Sequence, residues 1–177
     1  MVNLNKYLLG CTAIFALVIV TCSAPKKNTS NKSNHHAPAR KILTGKLTAE
    51  QIYKQIPAYK AGSEQYQPDE ATIEQLAIFS KTINIDVFLG TWCPDCQRQV
   101  PRFLKIMEQA DNSNFRYLLY GLDRTKRDAE GLAEKNQIEF VPTFIVFHNQ
   151  KEIGRIVENP MVSLEQDLLE ILQSIGK

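Results

Sequence analysis

Two cysteines separated by two residues, Cys93 and Cys96, stand in the stretch G-T-W-C-P-D-C-Q-R-Q-V-P from Gly90 to Pro101. Such a pair can do three kinds of chemistry. It can shuttle between dithiol and disulfide, it can supply half of a metal site, or it can crosslink the chain. A zinc site needs two further ligands, and the remaining histidines are His35, His36 and His148. A crosslink would close too small a loop to constrain much of the unfolded chain. Redox exchange needs a thiolate that attacks a disulfide sulfur and a second thiol that resolves the mixed disulfide. It is the chemistry that the surrounding sequence favours.

The elements that must position the pair are legible on either side of it. Ile83–Leu89 is rich in β-branched and aromatic residues and ends at Gly90, so a strand is expected. From Pro94 to about Ala110, Val100, Phe103, Leu104 and Met107 recur at helical spacing. Cys93 then stands at the helix N-terminus, where free N–H groups and the dipole favour a thiolate. Cys96 lies one turn further in, where it should be shielded.

Before this unit, Leu47, Ile52 and Ile56 suggest a short helix ended by Pro57, and Thr48 with Gln51 fits a capping box. Ala58–Pro68 reads as a loop, and Asp69 as the cap of a helix running through Ser80. After it come a strand over Phe115–Tyr120 and a helix over 126–136, with Ala129, Leu132 and Ala133 turned inward. A hairpin of Thr143–Phe147 and Glu152–Val157 follows. A closing helix capped by Ser163 ends the chain. The order predicts an α/β fold, a mixed central sheet flanked by helices, with two extra N-terminal helices.

W-C-P-D-C after an apolar strand resembles the active site of the thioredoxin superfamily. Pro101 lies five residues after Cys96, where thioredoxins carry a helix-kinking proline. V-P-T-F at Val141–Phe144 is similar to the family's cis-proline turn. The resemblance covers about residues 82–175. It implies a thioredoxin fold and thiol–disulfide oxidoreductase activity on protein disulfides. Cys93 would be the nucleophile and Cys96 the resolving thiol. It also implies that Trp92, Pro94, Val141 and Pro142 line the substrate site. In that arrangement the Val141 backbone pairs with an extended peptide by strand addition. No cofactor beyond the dithiol is implied and no metal. The alternative is a module that handles copper or zinc on the same scaffold.

The sequence also departs from the family. Val87 stands where thioredoxins keep a buried acid six residues before the first cysteine. Asp86 is adjacent but on a strand points to the other face. Leu119 falls near the place of the partner lysine, and Asp123 reads as a turn or cap residue. Asp95 adds negative charge beside Cys93, with Arg98 and Arg102 as possible counterweights. That charge opposes the thiolate and leans the pair towards reductant.

The front of the chain reads as an address. Tyr7 to Val20 is about 14 residues of nearly unbroken apolar sequence, the length of a secretory h-region and short for a membrane span. Cys22 follows in I-V-T-C-S, which resembles the lipobox of bacterial lipoproteins and makes Cys22 a lipidation candidate. Residues 1–22 are therefore expected to be a signal peptide or lipoprotein signal. Residues 23–45 carry little apolar content and read as a tether, and 46–177 as the thioredoxin-like domain. That organisation implies an extracytoplasmic, membrane-anchored body in a bacterial periplasm or cell envelope. It also implies protein dithiol or disulfide substrates and a membrane thiol electron donor. Of 177 residues 44% are apolar, enough for a core in one domain. The net charge of +2 is too balanced to suggest nucleic acid.

Overall fold

A computed structural model describes residues 42–175 of the chain. The expected signal, Cys22 and most of the expected tether lie outside the described residues. The tether's end does not: Leu43 is buried, and Gly45 already belongs to the sheet. The packed domain therefore begins a few residues earlier than the expected boundary at 46.

In chain order the elements are β1 (Gly45–Leu47), α1 (Ala49–Gln55), α2 (Pro57–Gln65), α3 (Glu70–Ala77) and β2 (Ile83–Leu89). Then follow α4 (Pro94–Ala110), β3 (Phe115–Gly121), α5 (Leu132–Lys135), β4 (Thr143–His148), β5 (Lys151–Val157) and α6 (Leu164–Gln173). The sheet order is β1-β3-β2-β4-β5. β2 pairs parallel with β3, and the other three pairings are antiparallel. The mixed sheet flanked by helices is thus present.

Among the described residues three helices precede β2, one more than the two expected. Pro57 does not merely end α1; it opens α2 at a position where its missing N–H is no loss. Tyr59 is fully buried, and a Cβ on Gly62 would lie 3.3 Å from Pro101 on α4. Tertiary packing against α4 thus makes a helix of a stretch that reads as a loop. The expected helix over 126–136 shrinks to α5, and Ala129 is exposed. The reason is local. The Asp123 carboxylate accepts from the Thr125 and Arg127 backbone N–H groups, and Asp128 from those of Glu130, Leu132 and Ala133. Side chains that take backbone donors in this way compete with helix.

The core forms where alternate residues of β2 meet α4. Ile83, Ile85, Val87 and Leu89 are buried, as are Val100, Phe103, Leu104 and Ile106. Phe103 meets Phe144 of β4 at 5.3 Å and Tyr117 of β3 edge-on at 5.4 Å between ring centroids. α6 closes the same face, with Ile171 against Gly154. One buried carboxylate ties α6 to the leading helices. Glu165 accepts from the Tyr66 hydroxyl at 2.8 Å and from the Asp69 N–H at 3.1 Å. Glu165→Leu would leave both donors without a partner. We expect it to lower the unfolding free energy by about 2 kcal/mol, measured by urea denaturation. Glu165→Gln should lose less.

Candidate active site

β2 ends at the C-terminal edge of the sheet, and the next four residues turn the chain into α4. Cys93 is the N-cap of α4, with φ −83° and ψ 127°. Its N–H donates to the Gly90 carbonyl at 2.9 Å, and its own carbonyl accepts the first helical bond from Gln97 at 3.1 Å. Pro94 follows at the first helical position and is exposed. Cys93 is 7% exposed and Cys96 fully buried, and both are free thiols.

The Cys93 thiol donates to the Val141 carbonyl at 3.2 Å. Val141–Pro142 is a cis peptide bond, and both residues are buried. Residues 48 positions apart are thus brought into direct contact. Cys96 Sγ accepts from the Gly90 N–H at 3.2 Å. Burial raises the Cys96 pKa far above the usual thiol range. The Gly90 N–H opposes that shift, and the neighbouring Cys93 adds to it.

Trp92, one residue before Cys93, is half-buried. Its indole N–H donates to the Leu122 carbonyl at 3.2 Å, and the Arg124 guanidinium lies 5.8 Å from the ring centroid. The ring folds back so closely that a Cβ on Gly90 would meet it at 2.6 Å. Only glycine fits there.

Several charged candidates fall into place. Val87 is fully buried in the sheet face beneath α4, and Asp86 points to the opposite face. Burial raises the Asp86 pKa, opposed by Lys46. Asp123 is a turn residue whose bonds to Thr125 and Arg127 hold its pKa low. Arg98 pairs with Asp95. Arg102 turns away, 4.9 Å above the Tyr66 ring. Among the described residues no three His, Cys, Asp or Glu side chains gather as a metal site would require.

Two links escaped the sequence reading. Asn159, after β5, accepts from Arg98 at 2.6 Å and from Gln99 at 3.0 Å, fastening the β5–α6 loop to α4. Thr91 Oγ1 accepts from the Leu43 N–H at 3.1 Å. No local pattern signals either, because the partners lie 48 to 61 residues apart.

The thioredoxin family model matches residues 47–168, most of the chain. The chain belongs to the thioredoxin family. Its relatives include a thioredoxin-like protein of Acanthamoeba polyphaga mimivirus, 30% identical over 53% of this chain and 66% of that protein. Thioredoxin-1 of Saccharomyces cerevisiae is 30% identical over 49% of this chain and 77% of its own length. The chain thus spans just under two thirds of the mimivirus protein. A crystal structure of a Pseudomonas aeruginosa protein of unknown function shares the fold. Its TM-score is 0.51 at 19% identity, over 68% of this chain and 82% of that one. In this thioredoxin-family chain the antiparallel β1 and helices α1, α2 and α3 precede the βαβ unit that carries Cys93 and Cys96.

Proposed function

We propose that the chain is a thiol–disulfide oxidoreductase. It acts on protein disulfides outside the cytoplasm, held to a membrane through its N-terminus. The observation that carries the chemistry is the meeting of the Cys93 thiol, at the head of α4, with the Val141 carbonyl. The Cys93 thiolate attacks one sulfur of a substrate disulfide. The other substrate sulfur leaves as a thiolate and takes up a proton. A mixed disulfide now joins Cys93 to the substrate. Cys93 has lost its S–H, so the Val141 carbonyl is released to accept a substrate backbone N–H. Cys96 then loses its proton and attacks Cys93 Sγ. The Cys93–Cys96 disulfide forms and the second substrate thiolate departs. The substrate gains two electrons, and a donor dithiol at the membrane restores the pair.

The site's charges support a flow of electrons from the pair to the substrate. Burial keeps Cys96 a neutral thiol, so the reduced pair gains no second stabilised thiolate, which suits a reductant. Arg98 offsets the Asp95 charge beside Cys93. Removing it in Arg98→Ala should make the couple more reducing by about 10 mV, equivalent to about 0.5 kcal/mol for a half-exposed pair. Asp95→Asn should shift it the other way. Equilibration with a glutathione buffer measures both.

The test of the function is reduction of insulin by dithiothreitol with and without the chain. Precipitation of the released B chain should begin earlier in its presence. A lag unchanged by the chain would count against the proposal. Sedimentation of the full chain with membranes tests the anchor separately.

A further inference from the structure

The loop between β3 and β4 starts and finishes at the cysteine turn. β3 and β4 flank β2 in the sheet. β3 runs parallel to β2, so the chain leaves β3 at the end where β2 delivers Gly90. β4 runs antiparallel, so Val141 and Pro142 enter it at that same end. The Leu122 carbonyl accepts from the Trp92 indole, and Phe140 directly precedes Val141, whose carbonyl meets the Cys93 thiol. Two aromatic rings, Trp92 and the 48% exposed Phe140, thus stand one residue from the reacting sulfur and from the carbonyl beside it.

The loop sets a cation on each ring. The Arg124 guanidinium lies 5.8 Å from the Trp92 centroid, and the Lys126 ammonium lies 5.2 Å from that of Phe140. Lys126 also donates to the Glu139 carbonyl at 2.6 Å, which leaves it further donors. A closed turn displays the two side chains. The Asp123 N–H donates to the Arg127 carbonyl and the Lys126 N–H to the Asp123 carbonyl, both at 3.0 Å. Lys126 sits there at φ 60°, in the left-handed region that favours glycine. The Asp123 carboxylate is occupied by the Thr125 and Arg127 N–H groups, and that of Asp128 by three more. Among the described residues neither cation pairs with a carboxylate, although Asp123, Asp128 and Glu139 lie close in the chain. On the α4 side of the site, by contrast, Arg98 is committed to Asp95 and Asn159.

We infer that Arg124 and Lys126 select the substrate, and that it is a disulfide with acidic residues beside its cysteines. This rests on the proposed reduction of protein disulfides. The rings hold the cations at the rim through their π-faces, so little further ordering is needed when a carboxylate arrives. A peptide lying along Val141 brings the residues next to its cysteine up to Phe140 and Trp92, where the two charges wait. Acidic neighbours gain from both cations, and basic ones are repelled. Such complementarity acts mainly on the rate of encounter and on the choice of partner.

The experiment varies the charge of the substrate. The full chain is pre-reduced and mixed with a disulfide-bridged peptide carrying glutamate, glutamine or lysine on either side of its cysteines. At about 0.01 M salt the glutamate form should be reduced about tenfold faster than the lysine form. At about 1 M salt, where the Debye length is only about 3 Å, the ratio should fall below about twofold. The ratio is then taken within each variant, so that a general loss of activity cancels. It should approach unity in the double variant Arg124→Gln, Lys126→Gln. It should persist in Lys54→Gln, Lys151→Gln, which removes the same charge from α1 and from the β4–β5 hairpin. Equal low-salt rates on the glutamate and lysine peptides, with the glutamine peptide reduced, overturn the substrate class and leave the chemistry intact. A ratio that both double variants lower equally overturns the assignment to Arg124 and Lys126. Failure of the wild-type chain on all three peptides overturns the proposed chemistry and this inference with it.

Discussion

Cys96→Ser should hold its substrate as a covalent mixed disulfide, whereas Cys93→Ser should hold nothing and reduce nothing. The asymmetry comes from position. Cys93 lies at the edge of the domain, against Val141 and at the head of α4, so an incoming disulfide can reach it. Cys96 is fully buried and can attack only a sulfur already bonded to Cys93. Serine in place of Cys96 removes the resolving thiol but leaves attack intact, so the trapped species should outlive the wild-type one by orders of magnitude. Serine in place of Cys93 removes the nucleophile, and turnover should fall at least about a thousandfold. Non-reducing electrophoresis with mass spectrometry of the trapped peptide checks both. Equal trapping by the two variants would reverse the assignment of roles.

The second large effect is on pH. Resolution of the mixed disulfide needs the Cys96 thiolate, and burial holds the Cys96 pKa far above the usual thiol range. At neutral pH the thiolate fraction is small and rises tenfold per pH unit. The resolution rate should therefore climb without a plateau from about pH 6 to beyond pH 9, the region where an ordinary thiol near 8.5 begins to level off. Acid-quenched decay of the mixed disulfide measures it, and a plateau below pH 8 would contradict the account. The same group affects stability. Its folded pKa exceeds its unfolded value, so its contribution is complete below about pH 8.5. The contribution is lost as pH rises towards the folded pKa, by up to about 1.4 kcal/mol per pH unit. Tyr53, Tyr66, Tyr117 and Tyr120 are raised by burial as well and act in the same direction. The difference between the wild-type chain and Cys96→Ala in alkaline urea titrations isolates the cysteine.

How much of this was legible in the sequence depended on the range of the forces involved. β2 and α4 were readable because their apolar periods are strong and Gly90 and Pro94 punctuate them, and both stand where expected. α2 was not, since what makes Pro57–Gln65 a helix is the burial of Tyr59 and the contact of Gly62 with Pro101. β1 has three residues and too short a pattern to register. The helix expected over 126–136 failed because two aspartates took the donors it needed. At the site, the spacing of Cys93 and Cys96 and the resemblance at Val141–Pro142 identified groups that the fold brings together. The Thr91–Leu43 and Asn159–Arg98 bonds join distant segments and leave no mark on either.

The central claim is that these two sulfurs accept a disulfide and pass it on. The most direct measurement mixes the reduced chain with one equivalent of a disulfide-bridged peptide and maps every thiol by alkylation and mass spectrometry. The account predicts that the peptide gains two thiols and that Cys93 and Cys96 become linked to each other. A peptide that remains oxidised beside an intact Cys93 and Cys96 dithiol would contradict it.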